Sequence, residues 1–170
     1  TSGVLVVAKN ELAHRQLAEQ FKTRQVKKQY LALVYGQPEP PSGTIETMIG
    51  RSPNRRDKMS ARVLHGRLAR THYRTLATSE PGSLLLVQIE TGRTHQIRVH
   101  MAHIGYPVVG DSMYGSRSLL NRKFGAKRQM LHAWRIGFFH PSSLELMEFE
   151  SPLPSDFREM ARKLGITYSL

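Results

Sequence analysis

Thr91-Gly92-Arg93-Thr94-His95-Gln96-Ile97-Arg98-Val99-His100-Met101 is the most informative stretch of this 170-residue chain. The β-prone run before it, Leu84 to Glu90, predicts a strand, and Thr91-Gly92-Arg93 turns the chain. Thr94 is placed to cap a helix that Gly105 ends, with Pro107 just beyond. A strand, a glycine turn and a helix start gather polar side chains around one helix N-terminus. Free N–H groups and the positive end of the helix dipole suit that place to anions. Arg93 and Arg98 add formal charge, and an arginine fork can hold a carboxylate or phosphate through two bonds. Spacing alone leaves the matter open, because an ordinary capped helix with solvated arginines fits the pattern equally well.

Outward from this segment, helices and strands mix without a regular β-α-β rhythm. Val4 to Ala8 is short, apolar and β-branched and predicts a buried strand. Asn10 can cap a helix from Glu11 whose apolar face is Ala13, Leu17 and Phe21. Gln29 to Tyr35 is apolar on both faces and predicts a central strand, and Pro38 to Gly43 a turn. Arg51 to Arg70 carries seven basic residues and one acid, Asp57, with little periodicity, and reads as a projecting basic loop or hairpin. Strands are predicted over Thr71–Leu76, Met130–Phe139 and Leu144–Phe149, and a last helix from Asp156 to Leu164 stops at Gly165. The expected fold class is α+β: a mixed, largely antiparallel sheet with flanking helices. The whole of 1–170 is expected to be one domain.

Composition narrows the partners. The 25 Lys and Arg against 13 Asp and Glu give a formal charge of +12, a field that concentrates polyanions. No apolar run reaches the roughly 20 residues of a membrane span, and no basic amphipathic helix suits a membrane surface, so nucleic acid is the expected partner and membrane is not. The chain has no cysteine, which excludes disulfides and thiolate chemistry and fits a cytoplasmic location. Its first residues, Thr1-Ser2-Gly3, show neither an initiator Met nor a signal peptide.

The stretch Thr91 to Asp111, TGRTHQIRVHMAHIGYPVVGD, resembles the third motif of the RluA/RluD-type RNA pseudouridine synthases. Lys28 to Gly36 is similar to that family's Lys-x-Tyr strand, Thr1 to Lys9 to the segment after its catalytic loop, and Arg128 to Ala133 with His140-Pro141 to its C-terminal strands. The resemblance covers nearly the whole chain in order. It implies the pseudouridine synthase fold and isomerisation of uridine in RNA, by breaking the N-glycosidic bond, turning the base and rejoining it through carbon. It also implies no metal and no organic cofactor. Arg98 would pair with the catalytic aspartate, favouring its ionised form. Tyr30 would stack on the target base.

The chain departs from the family pattern at its start. The family's Arg-Leu-Asp triplet, which carries the catalytic aspartate, lies a few residues before Thr-Ser-Gly, and this chain begins at Thr-Ser-Gly. Its aspartates, Asp57, Asp111 and Asp156, have no Arg-Leu before them. The expectation is a catalytic domain lacking its N-terminal part, inactive without the upstream aspartate. The alternative is a non-catalytic RNA-binding protein with a synthase-like fold.

The basic segment fits RNA binding, since base flipping costs a few kcal/mol and needs a grip on the backbone. Candidate RNA contacts are Lys28, Arg51, Arg55, Arg56, Lys58, Arg62, Arg93, His95 and Gln96. Ribosomal RNA of the large subunit is the favoured substrate with transfer RNA as the rival, and a monomer is expected. His95, His100 and His103 lack the spacing of a zincin helix, and the serines, Ser2, Ser112 and Ser116, lack a nucleophile-elbow context.

Overall fold

Leu31 to Val34 have no solvent-accessible surface, because the strand that carries them is covered on both faces. In the computed structural model, which describes residues 1–55, 57–115 and 123–170, this strand is β2 (Lys27–Tyr35). The candidate contact Arg56 and Ser116 lie outside the described residues. Around β2 the chain forms β1 (Ser2–Gly3), α1 (Glu11–Lys22), β3 (Ser42–Arg51), β4 (Met59–Ser60), β5 (Arg67–Ser79), β6 (Gly82–Ile89) and α2 (Gln96–His103). It closes with β7 (Leu131–Phe139), β8 (Leu146–Glu150) and α3 (Ser155–Lys163).

The described strands make one eight-stranded sheet in the order β1-β7-β2-β6-β5-β3-β4, with β8 also paired to β7. Every strand pairing is antiparallel except β1 with β7. This is the α+β, largely antiparallel fold that the pattern predicts. Period-two alternation sends the side chains of β2 to opposite layers. Leu31, Leu33 and Tyr35 pack with Trp134 and with Phe157, Met160 and Leu164 of the α3 region. Ala32 and Val34 pack with Leu85, Val87 and, from α2, Ile97 and Met101. α1 starts as expected, with the Asn10 side chain accepting from Ala13 N at 2.8 Å, and it buries Leu17 while Phe21 stays exposed.

Three local expectations are corrected and one strand, β3, is added. Val4 to Ala8 is not a buried strand: the sheet contains only Ser2–Gly3, and Leu5 and Val7 are 83% and 74% exposed. Val4, Val6 and Ala8 point down onto Leu17, Ile136 and Phe138 while the alternate residues face out, so an apolar run is split between core and surface. β3 was not anticipated at all, although Ile45 and Ile49 alternate inward along it. β5 begins at Arg67 rather than Thr71, which makes the basic segment the tip of a β3–β5 hairpin with the short β4 folded back on β3. Thr94 does not cap α2; the N-cap is His95, in the left-handed region at φ 57°, with no side-chain cap bond.

Gly3 fixes how the chain enters the fold. Its φ is 114°, and a Cβ there would lie 2.1 Å from the carbonyl oxygen of Ala133, so only glycine lets β1 lie against β7. Among the described residues no helix is long and apolar enough to cross a membrane. Replacing Phe157 by Ala should lower the unfolding free energy by about 3–5 kcal/mol, whereas Leu5→Ala should change it by less than about 0.5 kcal/mol. Denaturant unfolding of both variants checks this.

Candidate active site

Polar groups buried inside a fold must find partners there, and the segment around α2 meets that demand in two connected layers. In the inner layer Gln96 uses its whole amide. Its Oε1 accepts from Thr91 Oγ1 at 2.8 Å and from the Arg93 backbone N–H at 3.0 Å. Its Nε2 donates to the Arg70 carbonyl at 2.9 Å and to Thr71 Oγ1 at 3.0 Å. His100, fully buried, continues the network, with Nδ1 2.9 Å from Thr71 Oγ1 and Nε2 3.0 Å from Thr47 Oγ1. Burial, and then the charge of His103, lowers the His100 pKa to about 4, so the ring is neutral at physiological pH. These bonds hold the turn before α2 to β3 and β5.

The outer layer carries the charge. Arg98 donates from Nε to Asp111 Oδ2 at 2.7 Å and from Nη2 to Oδ1 at 2.9 Å, a two-pronged pair. The Arg98 side chain is 11% exposed and that of Asp111 0%. Burial alone would raise the Asp111 pKa, but Arg98 and the backbone N–H groups of Tyr114 and Met113 outweigh it, and the carboxylate is held below its usual range. Asp111 Oδ1 accepts both of those N–H groups at 2.9 Å. Tyr114 then links three elements. Its hydroxyl lies 3.0 Å from His95 Nδ1 and accepts from Met59 N–H at 3.0 Å, and its ring lies 5.0 Å from the Arg98 guanidinium.

These groups form one wall of a cleft of about 350 Å³ lined by Tyr30, Arg93, His95, Gln96 and Arg98, with Thr1, Ile89, Ile97, Gln129 and Leu131 completing it. Tyr30, from the centre of the sheet, and Arg98, from α2, therefore meet at one place. Burial raises the Tyr30 pKa, which disfavours its phenolate. Burial, then Arg98, lowers the His95 pKa. Among the described residues, none that lines the cleft is a carboxylate. A hollow of about 380 Å³ over β2, β7 and β8 contains Arg135 and Glu150, which neutralise each other at 2.7 Å, and it holds no candidate residue. Among the described residues no group of His, Asp and Glu is arranged to hold a metal ion.

The other candidates separate by exposure and partner. Lys28 is only 8% exposed, with its ammonium 5.7 Å from the centre of the Phe21 ring. Gln96 lines the cleft but spends its donors and acceptors on the scaffold. Lys58 bonds the Met113 carbonyl and lies over the Tyr114 ring, tying the basic hairpin to the cleft wall. Arg55 is paired with Asp57, Nη2 to Oδ2 at 2.6 Å. Arg51 and Arg62 are exposed on the hairpin, and Arg93 bonds the Leu68 carbonyl through Nε at 3.0 Å. Asp111 and Tyr114 were not anticipated as site residues. Asp111 lies thirteen positions after Arg98, beyond any local spacing rule, and Tyr114 is recognisable only through the turn that Asp111 nucleates.

The sequence and the fold match known proteins. A family model described as RNA pseudouridylate synthase matches residues 1–103. An uncharacterised RNA pseudouridine synthase of Chloroflexus aurantiacus is 50% identical over 164 residues, 96% of this chain and 50% of that protein. The ribosomal large subunit pseudouridine synthase D of Nitrosomonas europaea is 44% identical over 168 residues, 96% of this chain and 48% of that protein. Among solved structures, human RNA pseudouridylate synthase domain containing 1 superposes with a TM-score of 0.74 at 34% identity, covering 87% of this chain and 63% of that one. Fold and sequence together define an RNA pseudouridine synthase domain. The chain belongs to that family, and it spans about half the length of the curated relatives it matches.

The buried His100 gives the site a pH signature. The unfolded ring takes a proton near pH 6.5 and the folded one near 4, so its contribution to stability is complete above 6.5 and is lost as pH falls between those values. The expected loss is about 3 kcal/mol by pH 4. Unfolding free energies between pH 7 and 4 should show this slope, and His100→Gln should flatten it.

Proposed function

We propose that this domain isomerises specific uridines in RNA to pseudouridine, with the flipped base held in the cleft between Tyr30 and Arg98. The observation that carries the reading is the convergence of these two side chains, from β2 and α2, on one cleft that Thr1 also lines. Asp111 occupies Arg98 Nε and Nη2, so Nη1 is the guanidinium nitrogen without a hydrogen-bond partner among the described residues. A carboxylate carried a few residues before Thr1 in a longer chain would approach the same cleft, where that nitrogen can hold it ionised as a nucleophile or base requires. Arg98 then has two roles, one prong fixed by Asp111 and the other turned to the chemistry.

Tyr30 serves as the stacking platform. Its raised pKa argues against a phenolate base at neutral pH, while its partly buried ring in the cleft wall offers a flat apolar face. Arg93 and His95, on the opposite side of the turn, suit phosphate or sugar contacts, and Arg51 and Arg62 on the hairpin suit the flanking backbone. Large-subunit ribosomal RNA is the favoured substrate, a choice supported by the name of the Nitrosomonas europaea relative. The reading carries with it a cytoplasmic, monomeric enzyme that uses neither metal nor organic cofactor.

Tritium release from ribosomal RNA labelled at uridine C5 tests the function, using this chain and one extended upstream through Arg-Leu-Asp. Only the extended chain should release tritium. Turnover by the short chain would make Asp57, Asp111 or Asp156 the catalyst and overturn the site, and silence from both would favour a non-catalytic RNA binder. In the extended chain Tyr30→Phe should keep activity within about tenfold, while Tyr30→Ala should lose the stacking contribution of about 1–3 kcal/mol, roughly tenfold to hundredfold in rate.

A further inference from the structure

Charge on the basic hairpin is largely spoken for within the protein, since Arg55 pairs with Asp57 and Lys58 anchors to the Met113 carbonyl. The opposite holds beside the cleft, where the end of α1, the start of β5 and the turn before α2 come together. Arg93 lines the cleft and, among the described residues, spends only Nε, on the Leu68 carbonyl, which leaves its two terminal nitrogens for a ligand. Next to Leu68 in sequence, Arg67 is exposed and has no acidic partner among the described residues. Arg24 reaches only to 4.0 Å from Glu90 Oε2, and Glu90 is already engaged by Arg70 at 3.1 Å and His72 at 2.7 Å. Burial lowers the Arg93 pKa, and repulsion from Arg67 and Arg24 lowers it further, so both lie within electrostatic reach of Arg93.

The backbone at Arg24 supplies an independent sign. Arg24 follows the last turn of α1 at φ 62°, where Gln25 N–H bonds back to the Gln20 carbonyl at 2.9 Å. Glycine is the residue that this left-handed position favours, and a long side chain there is strained. An arginine placed against the local preference, beside Arg67 and Arg93, has as its described ion pair only the long contact to Glu90. Three guanidinium groups gathered at the mouth of the cleft suit an anionic ligand.

We propose that Arg24, Arg67 and Arg93 form a phosphate-gripping rim that holds the RNA backbone beside the base in the cleft. The proposal rests on reading the cleft as the site of an RNA base, and it puts the main electrostatic grip here rather than on the Arg51–Arg62 hairpin. Each guanidinium can take a phosphodiester through a two-pronged contact. The grip is indifferent to base identity, so it contributes affinity and register but no sequence choice.

The test is the affinity of the full chain for a fluorescent single-stranded RNA across a salt series. The variants are Arg24→Gly, Arg67→Gln and Arg93→Gln, with Arg162→Gln in α3 as an equal charge loss elsewhere. Each rim variant should weaken binding about threefold to tenfold and reduce the slope of log affinity against log salt by about 0.7. The control should change neither appreciably. Arg24→Gly should also melt at the same temperature as the parent or higher, which separates lost binding from lost structure. Rim variants indistinguishable from Arg162→Gln, in a parent that binds RNA with a clear salt dependence, would overturn the rim and leave the cleft reading intact. A parent chain without salt-dependent RNA binding would overturn both.

Discussion

Two opposite charges share a nearly dry space beneath the cleft, and much of the site's geometry follows from how they are satisfied. Removing an arginine and a carboxylate from water costs several kcal/mol for each, and only good geometry with further hydrogen bonds offsets that. Arg98 and Asp111 meet both conditions, with two parallel bonds between them and two backbone N–H groups completing the carboxylate. The consequence is positional. Asp111 can face Arg98 only if the chain turns sharply before it, and Gly110 permits this at φ 75°, where a Cβ would sit 2.0 Å from the Arg128 carbonyl oxygen. The turn in turn delivers Tyr114 to His95 and to Met59, so one ion pair fixes the cleft wall, the loop after α2 and the root of the basic hairpin.

The neutral network beneath it does a different job. Gln96 and His100 exchange hydrogen bonds with Thr91, Thr71 and Thr47, which come from the turn before α2, β5 and β3. Such a network, fully satisfied, sets the orientation of α2 on the sheet without placing another charge near the cleft. Tyr30 arrives from β2, whose backbone is bonded on both sides by β6 and β7. A rigid sheet thus presents the aromatic face and a cross-braced helix presents the guanidinium. Precise placement of two such side chains depends on supporting groups of this kind.

The sequence discloses the parts of this design that depend on local chemistry. The apolar run of β2, the Asn10 cap and the glycine after α3 each have a nearest-neighbour cause, and each appears where that cause puts it. The ordered motifs disclose Tyr30 and Arg98 as partners in one site. What stays hidden is non-local. Asp111 is a partner of Arg98 only through the fold, and Gln96 reads as a polar contact until the backbone groups it satisfies are seen. Val4 to Ala8 misleads because apolar composition does not say which side faces out. β3 escapes because its alternation, Ile45, Thr47 and Ile49, is diluted by a threonine and sits next to a run of charge. Arg24 is invisible for a related reason, since its left-handed backbone is set by the helix end that precedes it.

The dependence of the site on the buried pair is measurable as a coupling energy. A double-mutant cycle on Arg98→Met and Asp111→Leu, read by denaturant unfolding at neutral pH, removes each charge alone and then both together. Each single variant strands a buried charge, and the double variant strands none, so a coupling of about 2–3 kcal/mol is expected, with the double variant no less stable than either single one. Additive effects within about 0.5 kcal/mol would contradict the claim, because they would mean that the two charges are solvated separately and do not hold the cleft wall together.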